Sequence, residues 1–129
     1  RTYNTNEKMS RYYDKLMKYV NDGGNLIVQY NTNNFISTVA SKIGPYPFAI
    51  NRTRVTDENA PVTFLKSEHP VLNFPNKITQ NDFKGWIQER SVYHAANWDK
   101  NFETIFSMND AGEKADEGSL IIAKYGKGY

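Results

Sequence analysis

Met9, Tyr12, Tyr13, Leu16, Met17 and Val20 recur every three or four positions with polar residues between them, so they fall on one face of a helix. Asn4 with Glu7 three residues later has capping-box form, which pairs the first free backbone N–H groups and predicts where that helix starts. Asn21-Asp22-Gly23-Gly24 predicts its end, because glycine enters the left-handed C-terminal cap without a Cβ clash. Directly afterwards, Leu26-Ile27-Val28-Gln29-Tyr30 is a short, nearly continuous apolar run of strand type. Helix, glycine pair and apolar strand make half of a βαβ unit, and such a run suits a parallel sheet covered on both faces. The expectation is an α/β fold with 26–30 as an interior strand.

Residues 31–51 break into a polar stretch with Gly44-Pro45 and Tyr46-Pro47 as loop signals. A connection of that length is usually functional or ordered by small elements. Val62-Thr63-Phe64-Leu65 reads as a short strand, preceded by the stretch that opens at Arg54-Val55. Ser67 to Leu72 reads as a one-turn helix, with Ser67 as cap and Pro70 in its first turn. Thr79-Gln80-Asn81-Asp82 repeats the cap pattern before Phe83 and predicts a second short helix. Residues 86–93, 104–108 and 119–125 read as three further strands. At the end, Tyr125-Gly126-Lys127-Gly128-Tyr129 looks like a strand, a glycine turn and the first residue of a returning strand. Arg1-Thr2-Tyr3 looks like the tail of a preceding element. One domain spanning residues 1–129, cut from a longer polypeptide and truncated at both ends, is therefore expected.

Composition narrows the chemistry. The 129 residues contain no cysteine, which excludes disulfides, thiolate-bound zinc, iron–sulfur clusters and a thiol nucleophile. A hydrophobic share of 39% is enough for one real core. Sixteen basic against fourteen acidic residues leave a net charge of +2, too balanced to mark a nucleic-acid surface, and no apolar run is long enough to span a membrane. His69 and His94 are the only histidines and lack metal-ligand spacing. His69, before Pro70, suits a helix cap; His94, after an aromatic strand, suits packing in the core or at its rim. Gly23-Gly24 follows a helix and lacks the spacing of a phosphate cradle. Asn51-Arg52-Thr53 matches a glycosylation sequon, a pattern common by chance.

A binding surface is the easier reading. In open α/β sheets, ligands sit beyond the carboxyl ends of strands, where Gln29, Asn31 and Asn33 follow the first expected strand, with Asn34 in the same loop. Trp86, Tyr93 and Trp98 offer aromatic faces that suit sugar stacking as well as packing. On the expected strand 86–93, alternation puts Gln88 and Arg90 on one face and Glu89 on the other. Glu89 could serve as a base or simply form an ion pair.

The segments GGNLIVQYNTN, RVTDENAPVTFL, HPVLNFPNKIT, DFKGWIQERSVYHAANWD and SMNDAGEKADEGSLIIAKYGKGY together resemble the C-terminal region of bacterial PIG-L/LmbE-type deacetylase proteins. In these, a zinc N-acetylglucosaminyl deacetylase-like domain is followed by a class I glutamine-amidotransferase-like domain. The resemblance covers nearly the whole chain. It implies a flavodoxin-like, three-layer α/β sheet, a neighbouring deacetylase domain as partner, and a periplasmic or cell-envelope location. The zinc motif of type His-Pro-Asp-Asp is not present, since His69-Pro70 is followed by Val71-Leu72, and the amidotransferase cysteine has no counterpart. No cofactor and no catalytic residue are therefore assigned here. The expected function is a non-catalytic accessory domain, binding a carbohydrate or envelope substrate through Gln29, Asn31, Asn33, Gln88, Glu89, Arg90 and Trp98, or serving structurally. The alternatives are a hydrolase of amides or glycosides with Glu89 as base, helped by His94 or Arg90, and a protein-interaction module.

Overall fold

The structure is a computed structural model that describes residues 2–33 and 41–129; Asn34 lies outside them. Its architecture follows from the run 102–108, which has partners on two sides. Strand β6 (Phe102–Thr104) pairs antiparallel with β8 (Ile121–Ala123), and β7 (Phe106–Met108) pairs antiparallel with β3 (Val62–Phe64). Ile105, between them, has no exposed surface. Its N–H donates to Leu120 O at 3.2 Å, while its C=O accepts from Leu65 N at 2.9 Å. In a regular strand, the N–H and C=O of one residue face the same edge. The backbone therefore rotates at Ile105, and one continuous run serves two separate ladders.

Two further antiparallel pairs join β1 (Ala49–Ile50) to β5 (Ala95–Ala96) and β2 (Arg54–Val55) to β4 (Ser91–Val92). The fold is thus mixed α/β, and among the described residues every sheet is a two-stranded antiparallel pair. The core gathers where these pairs meet the short helical turns. Val55, Ala60, Val62, Leu72, Phe83, Ile105, Phe106 and Met108 are buried together. Phe64, Phe83 and Phe106 form a triangle of rings with centroids 5.2–6.0 Å apart, distances at which aromatic pairs attract.

Several expected elements appear with shifted bounds. The N-terminal helix is split into α1 (Thr2–Thr5) and α2 (Met9–Asn21). No side chain caps α2 at Lys8, and Asn4 instead accepts a hydrogen bond from Thr32 N, so the Asn4/Glu7 capping box does not form. The stop is as expected. Gly23 (φ +117°) donates to Val20 O and Gly24 to Tyr19 O, the paired bonds of a left-handed C-terminal cap. The cap of α3 (Pro70–Asn73) is His69 rather than Ser67; its Nδ1 accepts from Val71 N. Thr79 and Asp82 form the expected capping box on the 3₁₀ turn Gln80–Phe83.

The main correction concerns residues 26–30, which form no strand. Leu26 N donates to Tyr129 O, but no ladder follows. At Tyr30, φ is +52°, which ends the extended backbone. Ile27 is 82% exposed. A strand exists only where a second backbone meets it, and the described residues bring none to this run. A flavodoxin-like three-layer sheet is accordingly not seen. Of the expected strand 86–93, only Ser91–Val92 is paired, because Gly85 (φ +72°) and Gln88 (φ +81°) turn the chain.

The C-terminal turn packs on the end of α2. Lys127 N donates to Asn21 O at 3.0 Å, and a Cβ at Gly126 (φ +60°) would collide with the Asn21 backbone. Replacing Ile105 by Ala should cost about 2–5 kcal/mol in urea unfolding, as large-to-small core changes do. Ile27→Ala, on an exposed position, should stay within about 0.5 kcal/mol. Similar costs for the two variants would mean that Ile105 does not occupy the junction.

Candidate functional site

The β1–β5 and β2–β4 pairs are two parts of one ribbon whose register slips once. Ile50 faces Ala95 and Arg54 faces Val92, so Asn51, Arg52 and Thr53 lie opposite only Tyr93 and His94. One strand thus carries an extra residue, a β-bulge, a device that re-aims side chains. Asn51 N donates to His94 O at 2.9 Å just before the slip, and Tyr93 adopts φ +58° within it.

At this end of the ribbon, several of the expected binding residues come together. Asn33 Nδ2 donates to Ile50 O, which fixes the loop after the apolar run against β1. The ring of Tyr30 meets that of Tyr93 edge-on at 6.1 Å. Asn31, between these two anchors, has a buried Oδ1 with no hydrogen-bond partner among the described residues. Gln29 is exposed. Trp98 is half-buried, two residues beyond the end of β5. Beside it, Asn97 takes φ +50°, and Asp99 N donates to Pro47 O.

Gln88, Glu89 and Arg90 lie elsewhere. Arg90 N donates to Val55 O, at the far end of the ribbon. The Arg90 guanidinium donates to Ala60 O and Phe83 O and lies 5.8 Å from the centre of the Trp86 ring, so it ties the 3₁₀ turn to the strands. Gln88 N donates to Glu58 Oε2. Glu89 is half-buried, and neither of its expected helpers is recorded on it. The seven residues therefore divide into two groups rather than converging on one cleft.

His94 carries a feature the sequence did not reveal. Its side chain is fully buried, and Nδ1 lies 2.5 Å from Asp116 Oδ1. The same oxygen accepts from Gly118 N, so the carboxylate is the acceptor and Nδ1 carries the proton. Nε2 is buried with no partner, and Ser119 Oγ is in the same condition. With no surface on Nε2, substrate cannot reach it. The pair pins the segment before β8 to the ribbon, in keeping with the packing role expected for His94. No sequence spacing could have found Asp116, because the contact crosses 22 positions.

A depression of about 340 Å³ is lined by Arg52, Thr53, Arg54, Thr56, Asp110 and Glu113. Its two cations are matched by two carboxylates, so it has no charge preference of its own. Asp110 is already engaged, accepting from Thr56 Oγ1 at 2.6 Å, Thr56 N at 2.9 Å and Asp57 N at 2.8 Å. These bonds, led by the Thr56 hydroxyl and helped by the Arg54 charge, hold its carboxyl below the ordinary 3.8.

Comparisons with protein-family models, curated proteins and solved structures find no match for this chain. Among the described residues, no group of three or more His, Asp or Glu could hold a metal ion, and no helix is long and apolar enough to cross a membrane.

Because Asp110 is lowered on folding, its contribution to stability is present above pH 3.8 and is lost as pH falls through the lower folded value. Thr56→Val should move the Asp110 carboxyl back toward 3.8 in a carbon-detected NMR titration; an unchanged midpoint would show that the hydroxyl bond is not the cause. Nitrogen NMR of the His94 ring should show the proton on Nδ1, and Asp116→Asn should perturb it. A proton held on Nε2 instead would contradict the pairing.

Proposed function

We propose that this chain is a non-catalytic accessory domain that binds a neutral carbohydrate at the bulged end of the ribbon, through Asn31, Asn33, Tyr30, Tyr93 and Trp98, with Gln29 at the margin. The observation that carries this reading is the concentration of left-handed backbone there. Tyr30, Tyr93 and Asn97 are three of the four non-glycine residues with positive φ among the described ones. Each such residue costs about 1–2 kcal/mol, least for Asn, and strain of this kind tends to collect at functional sites. It falls among tyrosine rings, asparagine amides and an indole, the kinds of group that stack on sugar faces and pair with hydroxyls. Residues 23–33 carry no charge, which suits a ligand without one.

The resemblance to the C-terminal domain of PIG-L/LmbE-type deacetylases supports the rest of the reading. On it, the ligand is an amino-sugar polymer of the cell envelope, the partner is a deacetylase domain of the same polypeptide, and the fold class is the flavodoxin-like three-layer sheet. Gln88, Glu89 and Arg90 then serve to hold the far end of the ribbon.

Titration of the isotope-labelled chain with N-acetylglucosamine oligomers should shift the amides of Asn31 and Asn33 and the indole N–H of Trp98. Trp98→Ala should weaken binding about tenfold, at the upper end of what one aromatic stack contributes. An absence of shifts at saturating oligomer would leave only a structural role.

A further inference from the structure

We propose that the solvent-facing side of α2, with the C-terminal turn packed on its end, docks on an anionic lipid surface. Charge is segregated in this chain although its total is small. Residues 1–22 and 124–129 hold seven basic against three acidic residues, whereas 23–123 hold nine against eleven. The two basic segments meet in the structure, because Lys127 N donates to Asn21 O at the end of α2. The chain thus gathers its positive charge at one pole, and an asymmetry of this kind orients a protein over an extended charged plane.

Within that pole, the turn of the helix lines the cations up. Met17 and Val20 are buried, which fixes the inward face of α2. Lys8, Arg11, Lys15 and Lys18 recur at intervals of three and four on the opposite side, within about 80° of arc, and all four are exposed. From Lys8 to Lys18 the stripe runs about 15 Å at 1.5 Å per residue. Lys18 is held by Asp22 at 2.6 Å. No carboxylate among the described residues pairs with Lys8, Arg11, Lys15, Lys124 or Lys127. The nearby acids, Glu7 before the helix and Asp14 about 60° round from Arg11, leave the stripe itself positive. The first turn of α2 has no acidic residue, so Lys8 and Arg11 add to the positive end of the helix dipole instead of opposing it.

Two features favour a bilayer over a soluble polyanion. The stripe stands on the exposed back of a helix, whereas proteins that track a phosphodiester strand do so in a groove. Tyr12 and Tyr19, two turns apart, flank it at 50% and 54% exposure, with Lys15 Nζ 5.9 Å from the centre of the Tyr12 ring. Such rings settle at the headgroup level of a membrane with their hydroxyls in water.

Cosedimentation of the whole chain with extruded vesicles tests the proposal. In about 20 mM salt, phosphatidylcholine vesicles containing about one-third phosphatidylglycerol should pellet the protein, and pure phosphatidylcholine should not. Salt at about 0.5 M, where charges are screened beyond about 4 Å, should release it. Arg11→Gln with Lys15→Gln should weaken binding about twenty- to thirtyfold, from about fivefold per cation at a membrane surface. Lys77→Gln with Lys84→Gln removes the same charge from exposed positions elsewhere and should leave binding unchanged. Tyr12→Ala with Tyr19→Ala, which keeps every charge, should weaken it at least about fivefold. No pelleting with the mixed vesicles at about 1 mM accessible lipid would overturn the proposal, and so would equal weakening by the two glutamine pairs. Tighter binding to a single-stranded oligonucleotide than to vesicles, weakened by the Arg11 and Lys15 changes, would overturn it in favour of a phosphodiester strand.

Discussion

The divided hydrogen bonding at Ile105 is the constraint on which the rest of this structure depends. A residue that gives its N–H to one neighbour and its C=O to another cannot sit in a flat ladder, so the sheet breaks into pairs around it. The apolar side chains on either side then turn toward a common interior, with Phe64, Phe83 and Phe106 in mutual contact. Burying Ile105 completely satisfies both backbone groups and the side chain at once, which is why the short strands flanking it persist at only three residues each.

The bulged ribbon is a second consequence of short pairings. An extra residue between β1 and β2 offsets the two ladders, and the chain absorbs the offset in left-handed backbone at Tyr93. The same end of the ribbon collects the loop anchored by Asn33. A surface of amides and aromatic rings thus forms where three segments far apart in sequence meet. At the other end, Arg90 gives its guanidinium to backbone carbonyls, and the bonds it forms there are structural ones.

Those readings of the sequence that concern local chemistry are seen in the structure. The glycine stop of α2, Pro70 at the start of a short helix and the Thr79–Asp82 capping box each depend on residues within a few positions of one another. Asn4 fails as a cap for the opposite reason: Thr32, 28 positions away, offers its N–H to the same side chain. The candidate site was legible in part. The loop of Asn31 and Asn33 is fixed to the ribbon at Ile50 and Tyr93, whereas Arg90 is bound to Ala60 and Phe83, because alternation along a strand says nothing about a chain that turns at Gly85 and Gln88.

By itself the sequence determined what depends on neighbours along the chain: helix ends, turn positions, the apolar runs available for pairing and the exclusion of thiol chemistry. Only the tertiary structure decided which runs found partners. Residues 26–30 have the composition of an interior strand, yet a ladder is a property of two backbones, and the described residues bring it none beyond Tyr129. The His94–Asp116 pair, the bulge and the switch at Ile105 are of the same kind, set by distances across the fold that no local pattern encodes.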